Sequence, residues 1–346
     1  MTGLWDEIRR SGARSVAVFG MAKNAGKTVA LNHIAAGAER EGRRLGLTSI
    51  GRDGETWDVL TYRRKPAIQA GAGTLIATAE ACVGVGTAVL ETVERTSLAT
   101  PLGPVVVAKV KTPGTVEAAG PSRAEQLHTV VDRLLSLGAA LVLVDGAIDR
   151  QSLASPRVTE GCVLATGAIL SETLEEVVGA TEARVRQLTL PVAAQELQEA
   201  WRSGKVIVRT GGDFRCEIDA AAVLQGESGL QEIVRGEEAS VLVGGALTDP
   251  LLRDLIGVRA RVVVRDATCL FVDDVQVQRF LEGGGLLEVV RPLRLLAVTV
   301  NPVSPEGWVF DARTFFEAVR DALAGVPVYD VMAGYGEGAC PSGTRC

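Results

Sequence analysis

Lys27 and Thr28 close a pattern that could do chemistry. Within "VFGMAKNAGKTVALNH" (18–33), Gly20, Gly26, Lys27 and Thr28 spell G-x-x-x-x-G-K-[ST]. Glycines at these two places let the backbone curl so that its N–H groups face a polyphosphate. A helix that starts at once adds partial positive charge at the same point. Lys23, Asn24, Ala25, Gly26, Lys27, Thr28 and Val29 are the candidate nucleotide contacts, together with Gly20. Lys27 would reach the β- and γ-phosphates, and the Thr28 hydroxyl would sit on Mg²⁺. Lys23 either adds positive charge toward the same phosphates or is simply solvated, and Asn24 is suited to stabilising the turn.

Acids come next. "LVLVDG" ends an apolar run in Asp145, the position from which a carboxylate orients Mg²⁺ beside a phosphate loop. The competing reading is an acid that merely ends a strand at a turn. Gly146 would let the backbone approach the γ-phosphate. "SIGRDGE" offers Arg52, Asp53 and Glu55. Asp53 could hold the metal or orient an attacking water, and Arg52 could meet a phosphate; an Asp-Gly turn in solvent is the equal alternative. Asp149 and Arg150 in "AIDR" could sense the γ-phosphate, and "TGA" (166–168) could line a base pocket. The guanine motif [NT]-K-x-D is absent, which points to ATP. The D-x-H-x-x-G motif is also absent, so base-off cobalamin binding is not expected.

These residues need rigid elements to hold them. "RSVAVFG" (14–20) has the Val-rich apolar pattern of a buried strand, and the spacing of Val29, Ala30, Ile34, Ala35 and Ala38 predicts a helix from Lys27 to about Arg44. Further strands are expected at 45–50, 104–110, 139–149 and 162–168, and a helix from about Ser171. Residues 122–137 form an amphipathic helix in which Ser122 is expected as N-cap, Glu125 completes a capping box and Gly138 ends it. This alternation predicts an α/β fold, a P-loop NTPase-type parallel sheet with helices on both faces. The pattern breaks near 190–204 and resumes with strands at "KVIVR", "SVLVGG", "ARVVVRD", "LRLLAVTV" and "VPVYDV". The expected organisation is an ATPase domain over 1–190, a linker over 191–204, and a second, smaller α/β coupling or docking domain over 205–346.

Composition excludes several classes. With 346 residues and 47% hydrophobic content, the chain can bury more than one core. The net charge of −6 argues against nucleic acid as a partner. There is no uninterrupted apolar stretch of about 18 residues, so no membrane span is expected. "MTGLWDEIRR" is charged and amphipathic rather than secretory, and a cytoplasmic location is expected. Six scattered cysteines, Cys82, Cys162, Cys216, Cys269, Cys340 and Cys346, fit free thiols, with "CPSGTRC" as a frayed tail. The two histidines, His33 and His128, fall at helix positions and suit structural roles.

The set "GMAKNAGKT", "TSIGRDGE", "TPLG", "AGPSR", "LGAALVLVDGAIDRQSLASP" and "LATGAILS" resembles one small family, the P-loop subunit of the lysine 5,6-aminomutase (ornithine aminomutase) reactivase. The resemblance covers about the first 190 residues closely and the C-terminal half less distinctively. It implies an ATPase that uses ATP and Mg²⁺ to help expel damaged cobalamin from an adenosylcobalamin-dependent aminomutase. Its implied partners are the aminomutase subunits and a MutS-like reactivase subunit. The matching residues are Gly20, Lys23, Gly26, Lys27, Thr28, Asp53 and Asp145; Lys27, Asp53 and Asp145 would carry the catalysis, and Thr28, Asp53 and Asp145 the metal. Two other readings share the loop: an ATP-dependent biosynthetic ligase, and a nucleotide-binding regulator that does not hydrolyse.

Overall fold

The structure is a computed structural model that describes residues 3–50, 67–146, 158–211, 213–219, 230–234 and 238–337. Its first strand, β1 (Ser15–Gly20), is buried at every position, as a strand covered on both faces must be. Gly26 then hands the chain to helix α2 (Lys27–Arg40), which follows helix α1 (Leu4–Ser11) in the chain order of helices. The next strands are β2 (Leu45–Ser49), β3 (Ile68–Ala70), β4 (Leu75–Ala79), β5 (Val89–Thr100), β6 (Gly103–Thr112) and β7 (Gly114–Val116). Helix α3 (Ala124–Ser136), β8 (Leu141–Asp145), β9 (Gly161–Gly167) and helix α4 (Leu174–Leu188) follow.

The chain divides into two compact units, one comprising residues to Glu182 together with those from Arg294 onward, the other Ala183–Leu293. The division falls within α4. In the first unit, β17 (Leu295–Asn301), β18 (Val328–Asp330) and β19 (Tyr335–Glu337) complete a ten-stranded sheet among the described residues. Its order is β19-β18-β17-β9-β1-β8-β2-β4-β6-β5. All neighbouring pairs from β18 to β4 are parallel, whereas β18–β19, β4–β6 and β6–β5 pair antiparallel. The fold is therefore mixed α/β with a large, mostly parallel sheet.

Alternation along β8 shows how the layers form. Leu141 and Leu143 pack in the core that contains Ile8 of α1 and Leu31 and Ile34 of α2. Val142 and Val144 pack in the core with Leu127, Val130 and Leu134 of α3. A strand's side chains point to opposite faces with period two, so this one apolar run serves a helical layer on each side.

The second unit holds α5 (Gln195–Ala200), β10 (Lys205–Thr210), β11 (Asp213–Asp219), β12 (Ala239–Val243), β13 (Leu247–Thr248), β14 (Ala260–Val264), β15 (Leu270–Phe271) and β16 (Leu286–Val289). Its main sheet has the order β11-β10-β12-β14-β16, with β12, β14 and β16 parallel and β10 antiparallel to both neighbours. Ala193 and Leu197 join Ile207, Leu242 and Val263 in its core, and the Trp201 indole donates to the Val243 carbonyl at 2.9 Å.

Three expectations are corrected. The second unit does not run from 205 to 346: β17 pairs with β9 from Leu295↔Cys162 to Asn301↔Gly167, returning the C-terminal strands to the first sheet. Residues 191–204 are not a bare linker, because Ala193 and Leu197 are buried in the second unit's core. Ser122 does not cap α3; Arg123 occupies the N-cap with no side-chain cap, so the capping box with Glu125 does not form. Gly138 does end that helix, at φ +92° with its N–H on the Leu135 carbonyl at 3.0 Å.

Candidate phosphate-loop site

Parallel pairing brings the carboxyl ends of β2, β8, β1, β9 and β17 to one rim, and with them Ser49, Asp145, Gly20, Gly167 and Asn301. The chain leaves β1 toward β2 on one side and later crosses from β8 to β9 on the other. This reversal makes the end of β1 a topological switch point, where open α/β sheets leave a crevice for ligands.

The loop starts from a fixed point. The Met21 N–H donates to the Ala165 carbonyl of β9 at 2.9 Å. Asn24 takes φ +62°, the only non-glycine among the described residues in the left-handed region. Asn tolerates that conformation better than most side chains, which gives its place in the loop a backbone reason. Ala25 is buried, and Gly26 at φ +101° is the N-cap of α2. No side chain caps that N-terminus and no acid lies in its first turn. The end of α2 therefore combines backbone donors and partial positive charge in the manner of an anion site.

Lys27 folds back across the start of the loop. A Cβ added to Gly20 would lie 2.8 Å from Lys27 Cγ and 3.1 Å from its Cδ. The glycine leaves room for the lysine stem, and the stem spans the two ends of the loop. Lys27, Thr28 and Val29 are half-buried, whereas Lys23 is exposed.

Asp145 is half-buried at the end of β8, in register with Val18 of β1 and Ser49 of β2. Its carbonyl accepts from Ile50 N–H at 3.2 Å, and the Gly146 N–H donates to the Val18 carbonyl at 3.0 Å. The Gly146 amide is thus used inside the sheet, and the loop and the acid lie on adjacent strands. Arg52, Asp53, Glu55, Asp149, Arg150, Cys340 and Cys346 lie outside the described residues.

Thr166 does not line an open base pocket. It is fully buried, with its hydroxyl 2.7 Å from that of Thr181, so it ties β9 to α4. Cys82, Cys162 and Cys269 are buried and Cys216 is half-buried, with no disulfide given among the described residues. His33 and His128 lie in α2 and α3.

Sequence reasoning missed Asn301. Its Nδ2 donates to the Asn24 carbonyl at 3.0 Å and to the Val303 carbonyl at 3.1 Å, while its Oδ1 accepts from Val303 N–H at 3.2 Å. A Cβ on Gly26 would come within 3.2 Å of Asn301 Cβ, and one on Gly167 within 2.7 Å of the Asn301 carbonyl. Two glycines therefore let Asn301 approach and brace the loop. The available signal was "LLAVTVN", an apolar strand ending in an amide, which becomes informative once β17 is placed in the first sheet. Trp308, further along the same segment, donates from its indole to the Ala168 carbonyl at 2.7 Å.

An uncapped helix start beside Lys27 and Thr28, with Asp145 at the end of the adjacent strand, has the donor types that a magnesium-bound phosphate would need. Mg²⁺ is commonly held by one or two protein oxygens completed by phosphate and water, so Thr28 and Asp145 are the oxygens that would be the chain's contribution. Among the described residues no group of three or more His, Cys, Asp or Glu side chains could hold a metal by itself. No helix among them is long and apolar enough to cross a membrane. No protein-family model, curated protein or solved structure matches this chain.

Proposed function

We propose that the chain is an ATPase of the P-loop NTPase class that acts, with ATP and Mg²⁺, as a reactivating factor for an adenosylcobalamin-dependent amino acid aminomutase. The observation that carries the nucleotide half is Lys27 lying across Gly20 at the head of an uncapped α2. Lys27 and the loop amides would compensate charge that grows on the β–γ bridge, and Thr28 and Asp145 would hold the metal. Asp53 is kept for the attacking water or the metal.

The reactivase half rests on the resemblance carried by "GRDGE" and "DGAIDR". In that reading the chain works in the cytoplasm beside a MutS-like subunit. Hydrolysis biases two conformations that differ in affinity for the aminomutase. Driving a trapped enzyme from almost wholly closed to almost wholly open takes about 5.5 kcal/mol of differential affinity. That is a demand which repeated ATP turnover can meet. The chain itself is not expected to hold cobalamin base-off.

Reactivation tests this reading. An aminomutase inactivated with hydroxocobalamin should recover only with this chain, the partner subunit, ATP, Mg²⁺ and fresh adenosylcobalamin together. Equal recovery without the chain, or with Lys27→Ala in its place, contradicts the proposal. ATP turnover stimulated by a small carboxylate with no partner protein would favour the ligase instead. Tight ATP binding without phosphate release, even with partners, would favour the regulator.

A further inference from the structure

The hairpin that follows β17 stands beside the Gly20–Thr28 loop. The Asn301 Nδ2 donates to the Asn24 carbonyl at 3.0 Å and to the Val303 carbonyl at 3.1 Å, so the loop and the start of the hairpin share one amide. Val303 and Val309 then face each other across an antiparallel bridge, and the Ser304 N–H donates to the Trp308 carbonyl at 3.0 Å. Directly opposed residues project to the same face of a hairpin, and the next pair projects to the other. One face is fixed. Ser304 is buried, and the Trp308 indole donates to the Ala168 carbonyl at 2.7 Å and the Ser171 carbonyl at 3.1 Å, just past β9. The other face carries Val303, 48% exposed, and Val309, 63% exposed.

Val303 and Val309 therefore form a small apolar step that is held from behind. Such a surface meets a flat ring without first having to be ordered, which is what preorganisation contributes to binding. Its place beside the loop narrows the ligand, on the nucleotide reading proposed above, to part of the nucleotide itself. Asp145 ends β8 on one side of β1, whereas β9 and then β17 lie on the other. A triphosphate whose terminal end faces Asp145 sends its nucleoside the opposite way, over the ends of β9 and β17, where the hairpin stands.

We infer that Val303 and Val309 are the shelf for the base of that nucleotide. The contact is to the flat face of the ring, through apolar area, and includes no hydrogen bond to its edge. The shelf therefore adds affinity for adenine and guanine alike and leaves the choice between them to other groups. It takes the place of the base pocket expected at 166–168, where Thr166 is fully buried.

Calorimetric titration of the full chain with ATP, GTP and inorganic tripolyphosphate, each with Mg²⁺, tests the inference on wild type and on the double variant Val303→Ala, Val309→Ala. Both side chains are exposed and the hairpin's hydrogen bonds to Asn301 are made by backbone, so the variant should fold as wild type does. Its ATP affinity should fall about ten-fold, the scale of removing four partly buried methyl groups, with GTP weakened by the same factor and tripolyphosphate changed by less than about two-fold. Unchanged ATP affinity in the double variant, with Lys27→Ala still weakening ATP, overturns the shelf and leaves the nucleotide reading standing. An equal loss for tripolyphosphate also overturns the shelf, because the valines would then act through the loop and not on the base. A wild-type chain that binds none of the three ligands refutes the nucleotide reading, and the shelf falls with it.

Discussion

The Asn301 side chain donates to the backbone carbonyl of Asn24 at 3.0 Å, joining the end of β17 to the Gly20–Thr28 loop across 277 residues of chain. Asn24 is also the residue held at φ +62°. A loop with a left-handed non-glycine residue keeps its shape only where neighbours hold it, and Asn301 is such a neighbour. The last strands of the first unit therefore take part in shaping the site.

Asn301→Ala should loosen the loop without removing any group proposed to touch the nucleotide. One net hydrogen bond of about 0.5–1.5 kcal/mol corresponds to roughly a two- to ten-fold loss of ATP affinity. Calorimetric titration of wild type and variant checks this. Equal affinities would mean that the contact does not shape the site.

Gly20→Ala separates function from stability. The new methyl would meet Lys27 Cγ at 2.8 Å and Cδ at 3.1 Å and lie 3.3 Å from the Ala22 carbonyl, so the lysine must swing from the root of its stem to make room. The melting temperature should stay within a few degrees, as for a change of about 1 kcal/mol or less, while ATP affinity falls about ten-fold or more as the ammonium is displaced. Wild-type affinity in this variant would show that the position of Lys27 over Gly20 is immaterial.

A fragment of residues 1–190 should fail to fold cooperatively. It lacks β17, which pairs along β9, and it removes Leu296, Ala297 and Tyr329 from the core that contains Val16, Leu31 and Val163. Uncovering β9 also creates a long apolar sheet edge, the kind that aggregates. A soluble fragment with a sharp thermal transition would show that the first unit does not need its returning strands.

Much of the scaffold around the candidate site was legible and part of the fold was not. The loop, β1, α2, β2, β8 and β9 follow from apolar runs and from one local motif. "LRLLAVTV" was equally legible as a strand, but periodicity does not say which sheet a strand joins. Its partner, β9, is more than 120 residues earlier, and pairing across that distance leaves no local mark. The antiparallel β4–β6–β5 segment was harder still. β5 is an edge strand whose positions are exposed or half-buried, and "VLETVERTSLAT" lacks the apolar content that marks a core strand. The missing Ser122 cap has a local cause, since the N-cap falls on Arg123, one residue later than the polar start signal suggests.

Tyr329 predicts an alkaline limit to stability. Its phenol is buried, with the folded pKa raised from 10.0 to about 12 by burial, then by the Glu7 charge, against an opposing effect of Arg10. Between pH 10 and 12 the unfolded chain has released this proton and the folded chain has kept it. Stability is therefore fully present below pH 10 and falls as pH rises through the folded pKa, by on the order of 3 kcal/mol from this group. Tyr329→Phe cannot ionise there, so denaturant unfolding of the variant should show a shallower loss over that window. Identical slopes in the two proteins would contradict the assignment.

The most direct measurement of the central claim is an equilibrium titration of the whole chain with ATP and with GTP, with and without Mg²⁺, paired with an ATP-turnover assay of wild type and Lys27→Ala. The account predicts magnesium-dependent binding that favours ATP. It also predicts a folded Lys27→Ala protein whose ATP turnover is lower by about 10²–10³-fold, the effect of removing one preorganised charge-stabilising group. Equal or tighter GTP affinity, binding indifferent to Mg²⁺, or wild-type turnover in Lys27→Ala would contradict it.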